Sequence, residues 1–188
     1  MEQAEATDRF YEMVWPHRAL VLRAAMIQTG NAADAEDLAQ DTLLKAFRAI
    51  ETYRAGSNAG AWLMTILRNT RIDRMRTASG SARHVSLEEV VVEQAVDVEE
   101  PGDLDEAWKT PADLLNRFSD AQVIEALKGI AEELRWTLLL VDVEGMEQSD
   151  AATVLEVPVG TIKSRLHRGR AMLRQALLPL AREMRLIS

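Results

Sequence analysis

The carboxylates Asp34, Glu36, Asp37 and Asp41 come closest to the spacing that acid–base or metal chemistry needs. Asp37 and Asp41 are four residues apart, so on a helix they share one face and could act as a general acid and base. No Glu-x-x-His pattern accompanies them, the three histidines are far apart, and the chain contains no cysteine. Because neither a nucleophile nor a set of metal ligands is evident, we expect no catalytic residue, no metal site and no cofactor. Hydrated surface charge or a protein-binding surface is the better interpretation.

A basic helix near the end of the sequence is the second candidate for chemistry. A short helix ending at Leu155 and a tight turn at Glu156 and Val157 precede it, which is the helix-turn-helix pattern. A helix that enters the major groove needs cations for phosphates and Arg, Lys or Ser donors for base edges. The alternative is a solvated basic helix on a four-helix core. Between positions 157 and 182 there is no acidic residue and there are six basic ones: Lys163, Arg165, Arg168, Arg170, Arg174 and Arg182.

A second basic cluster lies between positions 68 and 76. The loop at 56–60 before it is rich in Gly, Ser and Asn, and Tyr53 and Trp62 offer aromatic surfaces for stacking. Such a mixture suits single-stranded or unstacked bases. The alternatives are an ordinary charged surface for the arginines and a core position for Trp62. The residues predicted to face solvent or a ligand are Arg68, Asn69, Arg71, Arg74 and Arg76.

Hydrophobic periodicity places all of these candidates on helices or next to them. Apolar residues from 34 to 50 are spaced three and four apart, which predicts a helix with one buried stripe, and Asn31 is predicted to cap it. Residues 10–27 predict an earlier helix that Pro16 interrupts and Gly30 ends. Further helices are predicted at 61–76, at 121–130, at 132–143, from a cap at Ser149 to Leu155, and after Pro158.

The net charge of −8 is concentrated in the middle of the chain. Residues 1–76 contain ten basic and ten acidic side chains and residues 121–188 nine of each, whereas residues 77–120 contain three basic and eleven acidic ones. The middle segment also loses the helical periodicity, so we interpret it as an acidic flexible linker. The predicted fold class is therefore all-α, with two small helical domains, 1–76 and 121–188. The second domain is predicted to be a four-helix domain with a helix-turn-helix.

Short sequence motifs in the two domains resemble those of a known family. The strings DAEDLAQDT at 34–42, AWL at 61–63 and LRN at 67–69 resemble the second conserved region of bacterial sigma factors. The strings DVEG at 142–145 and VPVGTIKSRLHRGR at 157–170 resemble the fourth region. Both regions in this order, with only a linker between them, resemble the extracytoplasmic-function (ECF) sigma factors.

The resemblance implies an initiation subunit that binds core RNA polymerase, recognises and opens promoter DNA, and has no catalysis of its own. It further implies control by an anti-sigma factor, no membrane insertion, and a cytoplasmic protein that joins the nucleoid with polymerase. The residues that match polymerase-binding positions are Asp37, Gln40, Asp41 and Leu44. Those that match positions for reading and melting the minus-ten element are Arg54, Ser57, Asn58, Arg68, Asn69 and Arg71. Those that match positions for reading the minus-thirty-five element are Lys163, Ser164, Arg165, His167 and Arg168.

The sequence departs from the family pattern in the second domain. The turn that usually holds a glycine has Glu156, which would cost about 1–2 kcal/mol if the residue must be left-handed. The helix before it, at 147–152, lacks the usual aromatic residue, and Ala131 replaces an expected proline. These departures put the stability of the second domain in question more than its function.

Two alternatives to this function stay open from the residues alone. One is a stand-alone helix-turn-helix regulator that binds duplex DNA as a dimer, and it offers no reason for the motifs at 34–50 and 53–76. The other is an enzyme that uses Asp37 and Asp41. For the linker, we expect that its acids screen the basic clusters until polymerase captures the segment, the alternative being a passive solvated tether.

Overall fold

A computed structural model describes residues 3–78 and 120–185 of the chain. Within these two ranges every regular element is helical, so the prediction of an all-α fold is confirmed. None of the helices in these ranges has an apolar stretch long enough to cross a membrane. The linker predicted at 77–120 lies outside the described residues except at its ends, and so does its predicted contact with the basic clusters.

The described residues before the linker form four α-helices with short connections. Pro16 interrupts the first helical segment as predicted, and a one-turn 3-10 helix at Trp15–His17 separates α1 from α2. A second such turn, Ile50–Thr52, follows α3. The helices are α1 (Gln3–Met13), α2 (Arg18–Thr29), α3 (Ala32–Arg48) and α4 (Ala59–Ala78).

Local signals set the ends of these helices. Gly30 ends α2 in a left-handed conformation with φ of 79°, and its N–H donates to the carbonyl of Met26. Asn31 caps α3, because its side-chain oxygen accepts from the backbone N–H of Asp34 at 2.9 Å. Asn58 does the same for α4 by accepting from the N–H of Ala61 at 3.0 Å. Both predicted signals, Gly30 and Asn31, are confirmed.

Small side chains let the first helices approach one another closely. Ala24, Ala35 and Ala46 are fully buried where α2 and α3 meet the rest of the domain. Leu38 and Leu63 fill the space between α3 and α4, with at most 1% of their surface exposed. Tight packing of this kind makes the domain a rigid support for the exposed side chains of α3 and α4.

The described residues after the linker form four more helices. The first two are α5 (Asp120–Lys128) and α6 (Glu132–Leu138), and α6 continues into a π-helical turn at Leu139–Val143. The last two are α7 (Gln148–Leu155) and α8 (Val159–Glu183). Pro158 stands at the N-cap of α8, close to where it was predicted to open the helix.

Two details of this domain differ from the predictions. The helix predicted at 132–143 is not α-helical to its end, because the N–H of Glu144 bonds back five residues to the carbonyl of Leu139 at 3.0 Å. The prediction that Ser149 caps α7 is wrong. The backbone of Glu147 is already extended and its carbonyl accepts the first helical bond, from Ala151, so the helix starts earlier.

The two halves of the chain pack against each other. α4 contacts α7, and α2 contacts α5 and α6. The buried apolar residues of both halves belong to one continuous cluster. The sequence analysis anticipated two domains but not this contact, in which the second half covers part of α4.

The contact between α6 and α8 depends on the absence of a side chain at Gly169. A Cβ there would lie 3.1 Å from Cγ of the fully buried Leu138. Replacing Gly169 with Val should therefore destabilise the chain by about 1–3 kcal/mol, because the core must shift to admit it. The lower midpoint of urea unfolding would measure this loss.

Gly160 in the first turn of α8 is the matched control. A Cβ there meets no atom within 4 Å. Gly160→Ala should therefore leave the free energy of unfolding unchanged or raise it by up to about 1 kcal/mol, so the urea midpoint should stay the same or rise. Equal midpoints for Gly169→Val and the natural chain would contradict the prediction, since Leu138 would then move aside at no cost.

Candidate nucleic-acid interface

The outer face of α3 is the first candidate surface. Asp37, Gln40, Asp41 and Leu44 are all exposed on it, while the opposite side of the helix is buried. Leu44 has 48% of its surface exposed. The structure thus brings the four residues matched to polymerase binding onto one face that combines carboxylates with an apolar side chain, a composition suited to another protein rather than to DNA.

Arg74 on α4 borders this face and links it to the rest of the domain. Its Nε donates to the carboxylate of Asp41 at 3.1 Å, and its Nη2 donates to the carbonyl oxygen of Asp37 at 2.8 Å. The expectation that Arg74 is left for solvent or a ligand is therefore wrong, since it joins α4 to α3. A second ion pair, between Lys45 and Asp73 at 3.2 Å, joins the same two helices.

The loop between α3 and α4 is held in one shape by its own hydrogen bonds. The buried Tyr53 donates its hydroxyl to the carbonyl oxygen of Ser57 at 2.8 Å, and Ser57 Oγ donates to the carbonyl of Arg54 at 2.7 Å. Arg54, Ser57 and Asn58 are exposed on this loop. Tyr53 is only 4% exposed and packs on the half-buried Trp62 with 5.2 Å between ring centroids. Tyr53 is therefore a core residue and offers no free stacking surface.

Polar side chains on α4 and at its N-cap face the second half of the chain. Arg68 is 8% exposed and lies 3.4 Å from the carboxylate of Glu156. Arg71 donates from Nε to Glu132 at 2.9 Å. Asn69 between them is exposed. The prediction that these side chains are left for solvent or a ligand is thus wrong for Arg68, because α7 and the turn after it cover that position. It is also wrong for Arg71, because its guanidinium binds Glu132.

The turn between α7 and α8 has the conformation that the sequence made costly. Glu156 has φ of 57° and ψ of 42°, so it is left-handed as the family pattern predicted for this position. Its N–H caps α7 by donating to carbonyls in the last turn. This conformation sets the direction in which α8 leaves the turn.

The first turns of α8 carry the second set of candidate DNA contacts. Lys163, Ser164, His167 and Arg168 are exposed and Arg165 is half-buried. Ile162 and Leu166 on the other side are buried in the core. The structure therefore brings the five predicted residues together on one stretch of α8.

Arg170 has a structural task that the sequence analysis did not assign. It forms two hydrogen bonds with the carboxylate of Asp142, at 2.7 and 3.0 Å. The hydrogen bond with Asp142 raises the pKa of Arg170. Because Asp142 lies on the π-helical turn after α6, this pair fixes the rotation of α8 relative to that turn.

Charges from both halves of the chain influence one another at the contact. Burial lowers the pKa of Arg165, Glu133 opposes that change, and the nearby charges of Arg168 and Arg68 lower the pKa further. Burial tends to raise the pKa of Glu132, but the hydrogen bond and charge of Arg71 and the charge of Arg135 together lower it below its ordinary value. The two basic clusters thus lie within electrostatic reach of each other.

The sequence analysis missed the residues that join the two halves. Four side chains of the second half accept or attract donors from the first half: Glu132, Glu144, Asp150 and Glu156. Nothing in the local periodicity marks them, and only the equal numbers of acids and bases in each half hinted that basic clusters would find carboxylate partners.

The described residues give no support for a metal site. Among them no three His, Asp or Glu side chains form a group that could hold a metal ion. A cavity of about 340 Å³ lies between α2, α3 and α4, and its lining includes Asp34, Arg71 and Arg74. Arg71 and Arg74 already bind protein carboxylates, so we assign no ligand to this cavity.

Two family models match the chain. The model of Sigma-70 region 2 matches residues 13–80, and the model of Sigma-70 region 4 matches residues 120–173. The matches contain α2 to α4 in the first case and α5 to the middle of α8 in the second. They occur in the order that the sequence resemblance implies.

Similar curated proteins carry the same family description. The chain is 35% identical to the ECF RNA polymerase sigma factor EcfG of Rhodopseudomonas palustris over 81% of this chain and 76% of that protein. It is 32% identical to the RNA polymerase sigma-H factor of Pseudomonas aeruginosa, over 90% of this chain and 85% of that protein. It is 33% identical to the ECF RNA polymerase sigma factor SigE of Mycolicibacterium smegmatis over 88% of this chain, but spans only 60% of that longer protein.

Two solved structures have a similar fold. The sigma factor RpoE from Bartonella quintana, solved in complex with the anti-sigma factor NepR, has a TM-score of 0.61 and 29% identity, over 91% of this chain and 95% of that one. CnrH, solved with the cytosolic domain of CnrY, has a TM-score of 0.61 at 24% identity over 95% of both chains, and supports the fold alone.

The contact between Glu132 and Arg71 should make the stability of the chain depend on pH. Because the folded-state pKa of Glu132 lies below its ordinary value of 4.5, its ionised form stabilises the fold fully above that pH. This contribution is lost as the pH falls through the lower folded-state pKa. Glu132→Gln removes it, so the urea midpoints of the natural chain and the variant should differ by a constant amount above about pH 5 and converge in more acidic solution. A difference that stays constant at every pH would show that Glu132 does not titrate in this range.

Proposed function

We propose that three separate surfaces divide the work of this chain, which belongs to the ECF sigma factors. That work is to direct promoter-specific transcription initiation by RNA polymerase. The observation that carries the proposal is the segregation of chemistry. Acidic and apolar groups share a face of α3, while the candidate DNA contacts lie on the loop before α4, on α4 and on α8. The sigma-factor family regulates polymerase without catalysing a reaction, and the chain is assigned no catalytic role of its own.

The α3 face is proposed to bind core polymerase. Asp37 and Asp41 supply negative charge and Leu44 supplies an exposed apolar side chain, so a groove with basic and apolar residues would complement them. Gln40 adds an amide that can donate and accept hydrogen bonds. The buried stripe and the Arg74 contacts hold the face in place, which lowers the entropy lost on binding.

The loop before α4 and the outer side of that helix are proposed to bind the minus-ten element as its strands separate. Arg54, Ser57 and Asn58 present cations and polar groups on a loop that hydrogen bonds already hold rigid. Asn69 extends this surface along α4, and Arg68 and Arg71 add cations once they leave their protein partners. Unstacked bases and the phosphates of a single strand fit donors of this kind.

The N-terminal half of α8 is proposed to enter the major groove at the minus-thirty-five element. Lys163, Ser164, Arg165, His167 and Arg168 lie on its first turns, which are the turns that contact base edges in helix-turn-helix proteins. The left-handed turn at Glu156 and the Asp142–Arg170 pair set the angle of the helix.

The proposed partners are core RNA polymerase, promoter DNA and an anti-sigma factor. The third rests on the similar RpoE chain, which was solved with the anti-sigma factor NepR. We also propose that the protein acts in the cytoplasm and joins the nucleoid when polymerase carries it there. A stand-alone DNA-binding regulator would leave the exposed α3 face without a purpose.

Transcription with purified components tests the proposed function. The chain is added to core polymerase on genomic DNA, and the starts of the transcripts are sequenced. Specific start sites that core polymerase alone does not produce, sharing two upstream sequence elements, support the proposal. DNA binding without any new start site would instead favour the stand-alone regulator.

Asp37→Lys should weaken binding to core polymerase roughly tenfold or more, because a reversed charge meets like charge at an electrostatically complementary interface. Asp37 suits this test better than Asp41, whose carboxylate also pairs with Arg74. Anisotropy of the labelled chain with core polymerase, without DNA, measures the affinity. Glu12→Lys on the exposed face of α1 makes the same charge change and should leave the affinity as it is. Equal losses of affinity for core polymerase in both variants would contradict the assignment of the α3 face to the polymerase interface.

Arg168→Ala should weaken promoter binding by the polymerase complex by about 1–3 kcal/mol and relax its preference at one position of the minus-thirty-five element. The reason is that an exposed arginine on the first turns of α8 reaches a base edge. Binding of duplex variants with single base changes measures both effects. Arg182→Ala, exposed near the other end of α8, removes the same charge and should not change the base preference. Unaltered base preference in Arg168→Ala would limit that residue to phosphate contact.

A further inference from the structure

Four polar contacts between the described parts of the two halves share one direction. Asn58 donates from Nδ2 to Asp150 at 2.7 Å, and Arg71 donates to Glu132 at 2.9 Å. The other two such contacts are Arg68 with Glu156 at 3.4 Å and Arg23 with Glu144 at 3.3 Å. In all four the first half supplies the nitrogen donor and the second half supplies a carboxylate. One weaker contact, from Arg135 to Gln28 at 3.3 Å, runs the other way.

Three of these four donors are residues proposed to bind the minus-ten element: Asn58, Arg68 and Arg71. A carboxylate offers oxygen acceptors and negative charge to an arginine or amide donor, as a phosphate does. With Arg68 only 8% exposed, a DNA strand cannot reach it in this arrangement. Burial lowers the pKa of the half-buried Arg165 of α8, which is also close enough for the charge of Arg68 to lower that pKa further.

Glu156 has a special place in this contact. It occupies a left-handed position, with φ of 57°, that a glycine would adopt without strain. Glycine would end α7 equally well but would leave Arg68 without its carboxylate. The residue in the strained position is therefore also the one whose carboxylate pairs with Arg68, the most deeply buried cation of the minus-ten surface.

The α3 face is not part of this contact. Asp37, Gln40 and Leu44 remain exposed while the two halves are closed on each other. Core polymerase can therefore bind the proposed α3 surface before the halves separate, whereas DNA cannot contact Arg68 until they do.

We propose that the free chain is closed by its own second domain, whose carboxylates at Glu132, Asp150 and Glu156 bind donors of the minus-ten surface in place of DNA phosphates, and that contact of the minus-ten strand with Arg68 and Arg71 requires the two halves to separate. The inference rests on the proposed minus-ten role of Asn58, Arg68 and Arg71. Ion pairs that are partly exposed weaken as salt rises, so the closed form weakens with ionic strength.

The test neutralises the three carboxylates in the full chain with Glu132→Gln, Asp150→Asn and Glu156→Gln together. Small-angle X-ray scattering of the chain without DNA or polymerase measures the radius of gyration. Anisotropy then measures affinity for a single-stranded oligonucleotide with the minus-ten sequence of a promoter that start-site sequencing has identified. We expect a larger radius and roughly three- to tenfold tighter DNA binding at low salt, with the gain shrinking as salt rises.

A control variant with Glu125→Gln, Glu147→Gln and Glu183→Gln makes the same change of charge at exposed positions that none of the four contacts uses. It should keep the radius of the natural chain and gain little affinity. An equal gain in the control would overturn the proposal, since general charge would then explain the effect. An expanded variant without tighter DNA binding, or an unchanged radius, would overturn it as well.

Comparing two variants of Glu156 separates the effect of its carboxylate from the effect of the strained backbone at this position. Glu156→Gly removes both the carboxylate and the strain, whereas Glu156→Gln removes only the charge. Similar gains in DNA affinity from the two variants support the carboxylate as the cause. A gain from Glu156→Gly alone would overturn its assigned role.

Failure of this inference can be told from failure of the proposed function. If the natural chain directs specific start sites but the neutralised variant stays compact, only the closed state is wrong. If no start sites appear, the proposed function fails, and the radius of gyration still reports whether the contact closes the chain.

Discussion

The same side chains that can hold the phosphates of a promoter strand can hold carboxylates, and the structure depends on this equivalence. Arg68, Arg71 and Asn58 are bound by acids of the second domain, at distances of 2.7 to 3.4 Å. A protein with such a surface must either expose it to every polyanion or cover it with negative charge of its own. Here the negative charge comes from a folded domain that also carries α8, the helix proposed to read the minus-thirty-five element.

The contacts within each domain differ in kind from the contact between the domains. This difference explains how the chain can hold its helices rigidly and still allow the two domains to separate. Within each domain, helices meet through apolar side chains and close approaches such as Gly169 against Leu138, which water and salt hardly weaken. Between the domains, polar pairs that are partly exposed add to the apolar contact, and such pairs are weak and sensitive to salt. Opening the interface can therefore leave both helical domains intact.

Sequence reasoning succeeded where a local interaction decides the structure. Asn31 was predicted to cap α3 because a side chain three residues from its partner needs no distant contact. The cost of a left-handed Glu156 was raised only because the family pattern usually has a glycine at that turn. Sequence reasoning failed where contacts between distant elements decide the structure. Arg68 was predicted to be exposed on α4 but is covered by α7, and Arg74 was predicted to be exposed but binds Asp41 of α3. The family resemblance implied which residues serve which surface, but periodicity and charge alone could not show that α7 covers part of α4.

The order of events in initiation follows from which surfaces the closed chain leaves open. The α3 face, with Leu44 and its neighbouring carboxylates, is accessible, whereas Arg68 on the minus-ten surface is not. Polymerase can thus capture a chain that binds promoter DNA poorly by itself, and then draw the domains apart by binding both. In the proposed mechanism, polymerase contacts supply the free energy that separates the domains, so Arg68 becomes accessible to the promoter strand on the enzyme.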